Sequence, residues 1–298
     1  MKVRNIILVS ILAAFAAASC AKTSPEAGLP SKAAEGEGES VTLTFSTGVQ
    51  TRSSFDNGSS ATVLEVFAFN SDGTYYPLLK PSVTPVREGN TFSCSLTVVK
   101  GLSYKFVFVA HSGEGALVFH PEESAPYMQL DYEHLNVNSA KDDAFWGSAT
   151  WQSGNPTTIS VELKRPFAQV NVLSSADDQA RALAAGLTAA ELASLSTGLT
   201  VANLPDRLNL LDGSVSGAYS GTFPLATRPS ETYLDGFQWL CSCFVLAPAS
   251  PQSWQLTFCC STGRGTILRN LPASQFAANH NTDFKGYILS PDGTITLL

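Results

Sequence analysis

Five cysteines beyond residue 20, four histidines and two acidic pairs are the side chains of this 298-residue chain whose types could do chemistry. Cys241 and Cys243 are two apart, so on a strand they share one face, whereas Cys259 and Cys260 face opposite ways. If 236–247 and 254–261 form a hairpin over 248–253, Cys241 or Cys243 falls near Cys259. A cross-strand disulfide there is sterically feasible. Against it stand the Phe, Leu and Val that surround these residues, since a free Cys packs well as a small hydrophobe. An odd set of five, with Cys94, also leaves at least one thiol unpaired. Cys-x-x-Cys spacing is absent, so no metal site is expected. His111, His120, His134 and His280 lack the close spacing of paired ligands. His111 with Asp142 or Asp143 makes a triad only on paper, because almost any of many serines would complete it. Gly-x-Ser-x-Gly, His-Glu-x-x-His and a Walker loop are all missing. The histidines read as surface residues, and Glu122-Glu123 and Asp142-Asp143 as loop acids. No enzyme and no cofactor is expected.

Cys20 is a different case. Lys2 and Arg4 precede the apolar run Ile6–Ala18, and Ala17-Ala18-Ser19 lead into the cysteine. This is the anatomy of a secretory signal over residues 1–20, too short to span a bilayer comfortably. Small residues directly before a cysteine make a lipobox-type site, with Ala17 where Leu is usual. Cys20 is therefore expected to carry acyl chains such as palmitate and to tether the mature chain to a membrane by lipid alone. Loss of Lys2 and Arg4 would take the formal charge from −7 to about −9. No stretch is rich in Lys or Arg, so a nucleic-acid partner is not expected.

The elements that position these residues follow from the hydrophobic pattern. Residues 21–40 are rich in Ala, Gly, Glu, Ser and Pro and read as a flexible tether. From Val41 the chain alternates apolar and hydroxyl residues, the mark of half-buried strands. About seven strand candidates lie on each side of 175–195, where Ala and Leu recur at helical spacing. Ser175 is the expected N-cap there, and Thr188 with Glu191 forms a Thr-x-x-Glu capping box. Pro291-Asp292-Gly293 predicts a tight turn that makes the last two strands a hairpin. The fold class is all-β with a minor helical segment. The expected domains are a β-sandwich over 41–175 and a helical connector with a second β-sandwich over 176–298, one large sandwich being the other arrangement.

Several segments taken in order resemble the fimbrillin family, the lipoprotein-type pilus subunits of Bacteroides-like bacteria. They are the lipobox, Val41–Phe45 running into Thr51-Arg52-Ser53-Ser54-Phe55, Val66-Phe67-Ala68-Phe69 before Asp72-Gly73, and Leu163-Lys164-Arg165-Pro166-Phe167-Ala168-Gln169-Val170. A helix after that strand and the strand Gly286-Tyr287-Ile288-Leu289 complete the order. The resemblance implies two transthyretin-like β-sandwiches in tandem and an outer-membrane lipoprotein exposed at the cell surface. It also implies cutting after Arg52, before Ser53, by a trypsin-like protease. Departure of Val41–Phe45 would then open a groove that a strand of another pilin subunit fills, giving a fimbrium that supports adhesion. The alternative is a monomeric outer-membrane lipoprotein whose sandwich binds glycan or a partner protein, with Trp146, Trp151, Trp239 and Trp254 as stacking platforms if exposed.

Overall fold

A computed structural model describes residues 39–50, 58–81, 84–135, 140–227, 232–234, 236–291 and 293–297. Cys20, Arg52 and Ser53 lie outside the described residues. Residues 39–298 form one compact unit.

The chain runs through β1 (Ser40–Gln50), β2 (Val63–Asn70), β3 (Val86–Glu88), β4 (Thr91–Val99), β5 (Ser103–His111), β6 (Leu117–His120) and β7 (Tyr127–Leu130). It continues with β8 (Ala144–Gln152), β9 (Thr158–Lys164) and β10 (Phe167–Ser175), then the helices α1 (Ala176–Ala184) and α2 (Ala189–Ala193). Next come β11 (Ser196–Leu204), β12 (Arg207–Asn209), β13 (Val215–Ser216), β14 (Tyr219–Thr227), β15 (Thr232–Leu234) and β16 (Phe237–Leu246). The last strands are β17 (Gln252–Trp254), β18 (Leu256–Thr262), β19 (Gly265–Asn270), β20 (Ser274–Phe276), β21 (Asn281–Gly286) and β22 (Ile295–Leu297). The fold is all-β with a minor helical segment.

The first sheet has the order β2-β5-β8-β9-β1-β4-β3. It cannot be flat. Phe45 on β1 meets Phe106 and Phe108 on β5 at centroid distances of 5.0 Å, although β8 and β9 separate those strands in the sheet. The sheet therefore curls over itself, with its corner between β8 and β9, where a Cβ on Gly147 would stand 2.5 Å from the Glu162 carbonyl. Strict alternation builds the core inside the curl: Leu43 and Phe45, Leu64 and Val66, Phe92 and Leu96, Phe106 and Phe108, Val161 and Leu163.

The second sheet has the order β19-β18-β11-β14-β16-β10-β21-β22. β14 changes layers midway. Its residues 219–225 pair with β11, and Ala226 and Thr227 pair with β16. A core of Val170, Val172, Leu199, Phe223, Phe258 and Phe284 forms there. By sheet membership β10 belongs with the second sheet, so the break falls at Arg165-Pro166.

A small sheet of order β13-β12-β7-β6 joins the halves, pairing β7 with β12. Its apolar side continues the core to the outer face of the first sheet through Phe67, Phe119, Met128 and Leu208. Tyr132, in the 3-10 turn Tyr132–His134, crosses into the second half. Its hydroxyl donates to Pro205 O at 2.8 Å and accepts from Leu246 N at 3.0 Å, and its ring packs on Phe223.

Candidate functional site: the first strand in its groove

β1 is an inner strand. Ser40–Gly48 run antiparallel to Thr91–Val99 of β4, and Thr44–Gln50 run parallel to Thr158–Lys164 of β9. Leu43, Phe45 and Thr47 are fully buried, while Thr42 and Thr44 point outward, with hydroxyl contacts to Thr97 and Ser95. One period-2 segment thus supplies both sides of a ladder and a row of core side chains. Taking it away would leave two strand edges with unpaired N–H and C=O groups and a slot lined by Phe92, Phe106 and Phe108.

The chain after the segment that holds Arg52 and Ser53 returns to the curl at Gly58, which has a φ of 77°. A Cβ there would stand 2.7 Å from Val49 Cγ1, so the return lies against the end of β1. Arg87 fastens it. Its guanidinium donates to the carbonyls of Gly58, Ser59 and Ala61, and its Nε donates to Gly89 O at 2.6 Å. The sequence held no local signal for the grip on Gly58, Ser59 and Ala61, because these acceptors lie 26 to 29 residues before Arg87.

The cysteine hairpin is a correction. β11 and β14 stand between β16 and β18, so Cys241 and Cys243 are not cross-strand neighbours of Cys259. Cys241, Cys243 and Cys260 instead lie in the core of the second half, and Cys259 is half-buried on the other face of β18. All five described cysteines carry free thiols. Burial raises them: Cys94 is pushed up to about 11 and Cys260 to about 12, with Cys241 and Cys243 also well up.

The acids at 142–143 are a second correction, for neither is a solvated loop acid. Asp142 Oδ1 accepts from Ala116 N at 2.8 Å. Asp143 is fully buried and takes Arg165 in a two-pronged ion pair, Nε to Oδ1 at 2.6 Å. The guanidinium lies between Phe145 and Phe244, 5.0 and 5.2 Å from their centroids. The Arg of the Leu163–Val170 segment is therefore a pin where one sheet hands over to the next. His111 is not a surface histidine either. It ends β5, is buried, accepts from Gly113 N at 3.1 Å and stands 4.0 Å from Glu65. Burial lowers its pKa. The paper triad does not assemble, since Asp142 and Asp143 are engaged elsewhere.

At the other terminus, Asp178 in the first turn of α1 is buried and accepts from Ile288 N, Leu289 N and Ser290 N at 2.9–3.1 Å and from Ser174 Oγ. Arg269 donates to Ile288 O and Ser290 O from the opposite side. The link between β21 and β22 is thus gripped through both its N–H and its C=O groups, while β22, at the sheet edge, pairs among the described residues with β21 alone.

The chain thus builds a curled sheet filled by its own first strand and fused to a second layered half, a β protein in two halves, and solved structures are similar to it in overall fold. A candidate cell-adhesion protein of Bacteroides ovatus is similar, with a TM-score of 0.51 at 12% identity over 87% of this chain and 96% of that one. A candidate polysaccharide-binding protein of Bacteroides thetaiotaomicron (DUF1812) gives 0.51 at 11% identity over 86% and 95%. A candidate adhesin of Bacteroides ovatus gives 0.50 at 13% identity over 87% and 93%. At such identities the likeness is one of fold alone. The chain itself belongs to DUF6562, a family of unknown function whose model matches residues 34–297. No curated protein matches the sequence.

Proposed function

We propose that this chain is a non-enzymatic, cell-surface adhesion protein: a fimbrial subunit or fimbrillin-like lipoprotein, delivered to the membrane through acylated Cys20, that assembles by exchange of β1 once the segment up to Arg52 is cut away. The position of β1 carries the reading. An inner strand that fills the core between β4 and β9 and is followed in sequence by Arg52 would, once cut there, be joined to the rest of the fold by its ladder and side-chain packing alone. The edges and slot it vacates are what an extended segment of a second subunit needs, main-chain bonding for affinity and alternate side-chain pockets for register. Fold likeness to candidate adhesins supports the same class. The gripped β21–β22 link argues for an acceptor that closes its own C-terminal sheet, as suits a subunit at the end of a polymer.

Limited trypsin digestion tests this, read by mass spectrometry and by gels run with and without heating. The expected outcome is a cut after Arg52, loss of the segment before it, and higher-order species that collapse on heating. A clean cut with the β1 fragment released and only monomer remaining would overturn exchange. The alternative by way of stacking tryptophans finds little to stand on: Trp151 and Trp254 are buried, and Trp146 is keyed to Leu210 O by its Nε1 at 3.1 Å.

A further inference from the structure

A cleft of about 580 Å³ opens where the end of the first sandwich faces the loop between β12 and β13. Three turns wall it, and each is fixed internally. In the turn after β2, Asn70 Oδ1 accepts from Asp72 N and Thr74 N at 2.9 Å, and Asp72 Oδ1 accepts from Thr74 N at 2.9 Å. In the turn after β8, Asn155 N donates to Gln152 O. In the β12–β13 loop, Asn209 and Asp212 carboxamide and carboxylate oxygens accept from Leu211 N and Ser214 N at 2.8 Å. The first and last walls touch, since a Cβ on Gly73 would stand 3.1 Å from Leu211 Cδ1. Tyr104 and Trp151 complete the lining. Their polar ends are already engaged with Val99 and Pro156, so they contribute apolar surface.

The side chains that border this frame are held apart from the chain's own hydrogen bonding. Ser103, Thr150, Gln152 and Asn155 line the cleft and make no side-chain hydrogen bond among the described residues. Two hydroxyls and two carboxamides offer both donors and acceptors. One carboxylate (Asp72) and one ammonium (Lys105) share the lining, so it carries no net formal charge. The size is that of small-ligand sites, about 300–1,000 Å³, and the junction of two halves is where such sites collect. A mixed, neutral set of donors and acceptors over an apolar base matches one chemistry well. An anion would want excess cations, and an apolar ligand would leave the amides unpaired.

We propose that this cleft binds neutral carbohydrate, a short hydroxyl-rich oligosaccharide segment. The inference deepens the adhesion reading and rests on it for its purpose, but it does not require strand exchange. With no fully exposed ring face to stack on, a single site is weak. Repetition of the site along a polymer would raise the avidity without any new contact.

The uncut, monomeric chain is applied to an array of neutral and acidic glycans, and the strongest neutral binder is titrated by calorimetry. The expected result is saturable binding to at least one neutral oligosaccharide, weakened about tenfold or more by the pair Gln152→Ala and Asn155→Ala with the melting temperature unchanged. Both residues are exposed, so the pair leaves the core intact. Lys105→Glu should leave neutral binding within about twofold. No neutral binder on the array, full binding by the double variant, or binding confined to acidic glycans and abolished by Lys105→Glu would each overturn the proposal. Failure of the trypsin-induced ladder would leave it standing, and its own failure would leave strand exchange standing.

Discussion

The buried Arg165–Asp143 pair sets the character of the chain at the scale of single residues. Two charges this deep are tolerated because the carboxylate takes two parallel N–H donors and the guanidinium plane is capped by two rings. Arg165→Met should lower stability by about 3–5 kcal/mol, because Asp143 is then left charged in the core. The double variant Arg165→Met/Asp143→Leu should recover much of that loss, read as the coupling in a urea-denaturation cycle. Chain order hid this pair: twenty-two residues separate the partners, and adjacent acids before an apolar strand look like an ordinary solvated turn. The thiols give a second expectation. At pH 8 a thiol pushed up to about 11 is only about a thousandth thiolate, against roughly a quarter for an ordinary one. Native protein should therefore react slowly with a disulfide reagent and faster as the pH rises, and the denatured, unreduced chain should release the five described thiols at once.

Among elements, β1 and the helical segment were the most legible from sequence. Alternation at Val41–Phe45 marked a half-buried strand, and Ser175 and the Thr188–Glu191 capping box do cap α1 and α2. β6, β7 and β12 went unread because three or four residues hold too little alternation to register. The cysteine hairpin failed for a different reason. Nearness in sequence favours pairing of β16 with β18, but β11 and β14, which come earlier in the chain, occupy that space. Phe45→Ala should cost about 3–5 kcal/mol, since the fully buried ring fills the slot between β1 and β5. After nicking, the same change should speed loss of the β1 fragment. Asp178→Ala should cost about 1–3 kcal/mol by leaving three buried N–H groups without their acceptor. Faster amide exchange confined to 288–290 and the neighbouring β22 would verify that the carboxylate is what fastens the C-terminal link.

For the whole molecule, the two halves that the sequence pattern suggests are not independent bodies. β7 pairs with β12, Tyr132 is seated in the second half, and Arg165 stands at the handover between sheets. Polypeptides covering 39–165 and 166–298 should each fail to give a cooperative melting transition alone and regain one when refolded together. The ties of β7 to β12 and of Tyr132 to Leu246 were not legible in the sequence, because they join residues about eighty and more than a hundred positions apart.

The direction of β1 has a mechanical meaning. A pull on the residues before Ser40 runs along the strand axis, so the rungs toward β4 and those toward β9 carry load together in shear and cannot open singly like a zip. Under tension the lifetime of such a joint is a matter of how fast it opens. Flanking β1 on both sides makes that opening slow, for it must wait until both ladders slide at once.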